Sequence, residues 1–260
     1  MKNLLYSVLF LPSIKTIFKA QVKRNYLEFN KSFVQNVFKL LFQPLFIYLA
    51  IGYGLGQIID PIRNFTYFEF VTPAVIILTG AYVSFKESFR KYYMGTVVTQ
   101  NYQPILKTPM TEIEISFGEI MWATLKGCMS VSLILIFSLI SKDITMPFNI
   151  LILFYIFLNS FVASTFGVLF VKFFINKNKM NAFIIGFIIP LSLICGSFFP
   201  LTKLPPILKK VTLMFPPTHF IFLIRKSYFD LYYSTYFLSL GFCVFVGYLS
   251  LSYTLNKKSL

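Results

Sequence analysis

Long unbroken apolar runs, each about 20 residues, set the limits on what this chain can fold into. Residues 40–59, 65–85, 113–140, 150–175, 182–199 and 231–255 are dominated by Leu, Ile, Phe, Val and Ala. At about 1.5 Å per residue, a helix of that length crosses a hydrocarbon core roughly 30 Å thick. In lipid the backbone has no water to bond, so only helices and closed barrels survive there. These runs are continuous instead of alternating, which predicts an all-helical integral membrane protein with six transmembrane helices. A composition of 57% hydrophobic and 13% charged residues lies outside the soluble globular range.

Lysines and arginines are retained on the cytoplasmic side, so their distribution gives an orientation. With the N-terminus inside, the cytoplasmic segments collect Lys15, Lys19, Lys23, Arg24, Lys86, Arg90, Lys91, Lys107, Lys177, Lys257 and Lys258, while the two short outer loops hold only Arg63 and Lys142. Both termini are therefore expected in the cytoplasm, and the chain in the plasma membrane. Segment 200–230 strains the rule, because it falls outside yet contains Lys203, Lys209, Lys210, Arg225 and Lys226. The net charge of +15 is spread over loops that face an anionic leaflet, so it points to membrane lipid and not to nucleic acid.

Within residues 1–33, Lys2 and the run Leu4 to Leu11 imitate a signal peptide, but Pro12, Lys15 and the lack of a small-x-small site argue otherwise. Ile14, Ile17, Phe18, Val22, Phe29 and Phe33 recur at helical spacing between Lys15, Lys19, Lys23 and Arg24. That pattern predicts an amphipathic helix in the inner interface, with a solvated extension of the first span as the alternative.

The chemistry-bearing residues are few. No phosphate-cradling G-x-x-x-x-G-K-[ST] motif occurs, so ATP hydrolysis is not expected of this chain. Gly52, Gly54 and Gly56 miss the dinucleotide pattern and read as helix packing. Cys128, Cys195 and Cys243 lie inside spans as buried thiols, and a single histidine, His219, makes no zinc constellation. No catalytic residue, metal or cofactor is expected.

Three stretches stand out instead. Residues 86–111 form a long cytoplasmic segment of mixed polarity, including Glu87, Arg90, Lys91, Thr96, Lys107 and Pro109, of the kind that docks a partner. On the third span Glu112, Ser116, Glu119, Ala123, Lys126 and Ser130 share one stripe. Intramembrane charge is costly, so this stripe is expected to face a partner helix or a pathway, with snorkelling of Glu119 as the alternative. Glu119 and Lys126 are two turns apart, too far for a direct pair. Between the fifth and sixth spans, Phe199, Pro200, Pro205 and Pro216 bracket a helix too short to cross, followed by a second element carrying His219 and Arg225. Together they read as a short re-entrant helical element.

Taken in order, Gln43-Pro44-Leu45 leading to Gly52, Gly54 and Gly56, then Ser116-Phe117-Gly118-Glu119-Ile120-Met121-Trp122-Ala123, then Gly196 to Pro205, then Pro216-Pro217-Thr218-His219 to Arg225, the chain resembles the permease subunits of type-2 ABC exporters. The branch it looks most like is that of nodulation-factor exporter (NodJ-like) and drug-exporter permeases. The resemblance implies a single transmembrane domain over 1–260 that forms a homodimer and sits on a separate cytoplasmic ATP-binding subunit. It also implies that 86–111 is the coupling element, that 200–230 caps the pathway outside, and that the cargo is amphipathic: a lipo-oligosaccharide, lipid-linked glycan or hydrophobic drug. The rival readings are a gradient-driven transporter or channel, which would lean on Lys126, and a membrane enzyme, for which no acid/base or metal cluster is present.

Overall fold

A computed structural model of the chain describes residues 14–62, 66–107, 112–140, 150–171, 182–201 and 204–229. The expected sixth span, 231–255, and the stretch 1–13 lie outside the described residues. What is described is helices joined by turns. Helix α1 covers Ile14–Lys31. Helix α2, Phe33–Leu55, is broken by wide π turns at Phe38–Phe42 and Ala50–Leu55. Pro44, with no N–H to give, sits just after the first of these and prevents a regular ladder there. Helix α3 runs Tyr67–Tyr93 and continues through a π turn to Val98. Its start is fixed by a capping box in which the Thr66 side chain accepts from the Glu69 N–H while the Glu69 carboxylate accepts from the Thr66 N–H.

A short helix, α4 (Tyr102–Leu106), follows a turn in which Gln100 takes a positive φ of 49°. Helices α5 (Glu112–Ile140) and α6 (Ile150–Phe170) are long and continuous. Helix α7 comprises a π turn Ile184–Ile188 and an α segment Ile189–Ile194. Helices α8 (Pro206–Leu213) and α9 (Pro216–Phe229) close the described chain. Among the described residues four helices are long and apolar enough to span a membrane, Phe33–Leu55, Tyr67–Val98, Glu114–Ile140 and Ile150–Phe170. The pair α8 and α9, bent by 92°, makes a fifth if it is counted as one broken span.

Helix α3 is the centre of the bundle, and small residues explain how its neighbours reach it. Gly80, Ser84 and Ser88 repeat every four residues along α3. A Cβ added at Gly127 of α5 would meet the Ser84 hydroxyl and stand 2.8 Å from the Gly80 carbonyl. One added at Gly167 of α6 would meet the Ser88 hydroxyl and stand 2.6 Å from the Phe85 carbonyl. Without a hydrophobic driving force between helices in lipid, such close approach and the hydrogen bonds it permits hold the bundle. Two such bonds are Asn159 Nδ2 donating to the Ile77 carbonyl at 2.8 Å and the Thr124–Ser164 hydroxyl pair at 3.1 Å.

Two expectations about elements need correcting. The second span does not give way to a loop after Phe85, because the helix continues to Val98. Within residues 86–91, Glu87 and Lys91 share one face and find partners on other helices, while Ser88 packs against Gly167 of α6 and Phe89 is fully buried. The helix of the fifth span stops at Ile194 instead of Phe199, since Gly196 adopts φ 80°, the left-handed conformation that ends helices at low cost for glycine.

Candidate functional site

Polar side chains collect at the two ends of the bundle. At the end where α3 finishes and α5 begins, the carboxylate of Glu119 has a fully buried side chain and three donors from two other elements. Arg24 Nη2 donates to Oε1 at 2.6 Å and Asn25 Nδ2 to Oε2 at 3.0 Å, both from α1. The Tyr102 hydroxyl of α4 donates to Oε1 at 3.0 Å. Burial, reinforced by the neighbouring Glu119 carboxylate, pushes the Tyr102 phenol above its usual range, so it remains a proton donor at physiological pH. Gly95 allows this arrangement, because a Cβ there would run into the Tyr102 ring.

A second set of contacts surrounds the first. Lys126 Nζ of α5 pairs with Glu87 Oε1 of α3 at 2.7 Å, with both side chains 11% exposed. Arg90 reaches the other Glu87 oxygen at 3.1 Å from the surface. Lys91 Nζ donates to Asn25 Oδ1 at 2.7 Å and to Glu28 Oε2 at 3.0 Å, tying α3 to α1. Between these groups Phe29 and Trp122 stand edge to face at 6.3 Å, with Lys126 Nζ 5.1 Å from the Phe29 centroid and 5.7 Å from Trp122. Aromatic faces next to ammonium groups add about 0.5–2 kcal/mol each in such settings.

The expected residues are thus distributed unevenly. Ser116, Glu119, Ala123, Lys126 and Ser130 are all buried, so the stripe on α5 faces inward, and Glu112 at its start is half-buried. Glu119 is not a snorkelling surface residue. Of the residues expected to dock a partner, Glu87 and Lys91 are engaged inside the molecule, and the Thr96 hydroxyl donates to the Tyr92 carbonyl. Arg90 and Lys107 remain exposed, and Pro109 lies outside the described residues. Exposed Val97, Val98, Gln103 and Pro104 make the turn around α4 the open surface of this end. Sequence reasoning missed Asn25, Glu28 and Tyr102, and placed Arg24 on the basic face of an interfacial amphipathic helix. The available signal was the cost of intramembrane charge, which obliges Glu119 and Lys126 to have counter-charges.

At the opposite end, Arg225 of α9 is buried and has no carboxylate partner among the described residues. Its guanidinium donates to the carbonyls of Gly196 at 2.6 Å, Phe70 at 2.9 Å and Ser197 at 3.2 Å, and lies 3.8 Å from the Phe70 ring centroid. The 92° corner between α8 and α9 is stitched by the Thr218 hydroxyl donating to the Thr212 carbonyl and by His219 Nε2 bonded to the Leu213 carbonyl, each at 2.7 Å. Phe199 and Pro200 are half-buried beside this corner, Pro205 is exposed, and Pro216 opens α9.

Small-residue packing around one central helix, several membrane-length helices and buried ion pairs at one end define a multi-pass helical membrane protein. The comparison with known families makes the class specific: residues 16–229 match the ABC-2 type transporter family, and the chain belongs to it as a permease subunit. It is similar to nodulation protein J of Sinorhizobium fredii, with 21% identity over 80% of this chain and 79% of the relative. Nodulation protein J of Neorhizobium galegae is 22% identical over 84% and 83% of the two chains, and that of Bradyrhizobium diazoefficiens 21% over 78% of each.

Proposed function

We propose that this chain is the membrane half of an ATP-driven exporter for an amphipathic cargo, energised by a separate cytoplasmic ATP-binding subunit that docks at the α4 end. Two copies of the chain form the transport unit, each with six spans and with both termini cytoplasmic. Helices α8 and α9 dip into the outer leaflet and return, covering the outer end of the pathway. The excess of lysine and arginine at the α4 end, the match to the ABC-2 family and the similarity to nodulation protein J support this reading.

The observation that carries it is the convergence on Glu119. A push on α4 reaches Tyr102, then Glu119 on α5, then Arg24 and Asn25 on α1, and from Asn25 returns to Lys91 on α3. One exposed turn is therefore joined by buried and part-buried side-chain bonds to three helices of the bundle. Partner-driven closure exerted there would shift the helices between packing arrangements, which is how a soluble engine moves a membrane pathway. The docking surface is assigned to Arg90, Gln103, Pro104 and Lys107, and Glu87 and Lys91 transmit instead of touching the partner. A gradient-driven mechanism would lean on Lys126 as a deep ionisable group, and its pairing with the Glu87 carboxylate at 2.7 Å gives it a structural role instead.

Affinity purification of the tagged chain from mild detergent, in a host expressing its neighbouring genes, tests the assignment. Recovery of a soluble ATPase at about one per permease is the expected result. A reproducible absence of any ATPase would overturn it.

A further inference from the structure

Beside the Tyr102–Glu119 contact lies an open cavity of about 140 Å³, walled by Tyr92, Thr96, Tyr102, Gln103, Glu112 and Ile115. It is small against the roughly 300–1,000 Å³ of sites that hold whole organic ligands, so it is not a cargo site. Its walls combine aromatic rings with one carboxylate. The Tyr92 and Tyr102 rings stand 5.9 Å apart at 42°, presenting two aromatic surfaces, and the charge of Glu112 acts on the Tyr92 hydroxyl. Among the described residues Glu112 has no ion-pair partner, whereas Glu28, Glu87 and Glu119 at this end are all paired.

We infer that this cavity receives one basic side chain, arginine or lysine, from the ATP-binding subunit. The inference rests on the docking of that subunit proposed above and names the contact it makes. A guanidinium or ammonium resting beside the Tyr92 and Tyr102 rings against the Glu112 carboxylate gains both cation–π and ion-pair attraction. The exposed Lys107 at the same turn disfavours a free cation and favours a side chain whose neighbours on the partner are acidic. The partner surface is therefore one basic finger within an acidic rim. Because the finger touches Tyr102, its entry bears directly on the Glu119 junction.

The test uses the full permease co-expressed with its ATP-binding subunit and purified together in mild detergent. Glu112→Lys is expected to cut the ATPase retained per permease by about tenfold or more, and Glu112→Gln by about two- to fivefold, since a like charge repels where an uncharged amide only fails to attract. Size-exclusion and thermal-unfolding profiles close to wild type show that the variant is folded. If Glu112→Lys misfolds, a photo-reactive amino acid at the exposed Gln103 decides instead: it should capture a peptide of the ATP-binding subunit that contains Arg or Lys. Converting that residue to Glu should cut retention by the wild-type permease about tenfold, as its charge would then repel Glu112. Wild-type retention by folded Glu112→Lys, or a captured peptide with no basic residue, overturns the cavity assignment and leaves the docking intact. Failure of the wild-type permease to retain any ATPase overturns both.

Discussion

The two ends of the bundle solve the problem of buried polarity differently. At the α4 end, the inner one in the orientation proposed above, the bonds run from side chain to side chain across four elements, as in Arg24–Glu119, Tyr102–Glu119, Lys91–Glu28 and Lys126–Glu87. At the Arg225 end, the outer one in that proposed orientation, they run from side chain to backbone: Arg225 holds three carbonyls, and Thr218 and His219 hold two more. Side-chain pairs can exchange partners when helices slide, whereas a carbonyl abandoned in a buried site has no substitute. The inner end is thus suited to change its connections and the outer end to keep its shape.

That contrast is broken most severely at the inner ion pair. Removing one partner of a buried pair leaves the other charge uncompensated, at about 3–5 kcal/mol, so Glu87→Gln or Lys126→Met should each lower the thermal-unfolding midpoint sharply in detergent. The double variant should recover a large part of the loss, because neither charge is then stranded. A double variant as unstable as the sum of the two would show that the groups do not act as a pair.

The outer end should respond without such compensation. Arg225→Met abandons the buried carbonyls of Gly196 and Ser197 at about 1–3 kcal/mol each and removes an added donor from the helical Phe70 carbonyl, and no second substitution nearby should restore stability, because the acceptors belong to the backbone. Arg225→Lys should fall between, its single ammonium reaching fewer of the acceptors. Equal stability of the Met variant and wild type would remove the proposed rigidity of this end.

The smallest effect belongs to the rim of the inner cluster. Lys91→Ala breaks the pair with Glu28, whose side chain is 53% exposed, and should cost no more than about 1 kcal/mol. The accompanying loss of the Lys91–Asn25 bond should loosen α1, seen as faster amide hydrogen exchange over Ile14–Lys31. Unchanged exchange there would mean that Glu119 alone holds α1.

How much of this was legible in the sequence follows from the physics of each element. The long apolar runs announced their helices because hydrocarbon leaves the backbone no other choice, and prolines 205, 206, 216 and 217 marked both ends of α8. The inward stripe on α5 was visible for the same reason: charge in a span must face protein. The extension of α3 was not, because a polar helical face and a polar loop have the same composition until partners are known. Arg24 was misassigned because a cation on an amphipathic helix suits lipid phosphate and a buried carboxylate equally well by pattern. Tyr102 and Gly95 were invisible, since their meaning lies in a contact made only after the chain turns at Gln100.

The central claim is that Glu119 joins the docking turn to the bundle, and one measurement tests it most directly: ATP hydrolysis by the Glu119→Gln permease with its ATP-binding subunit in lipid nanodiscs. The amide keeps the shape and weakens the charged contact to Arg24. The expected result is an intact complex whose permease-dependent hydrolysis falls by about tenfold, within the ordinary range of coupling energies of about 1–3 kcal/mol. An intact complex hydrolysing ATP at the wild-type rate would contradict the account.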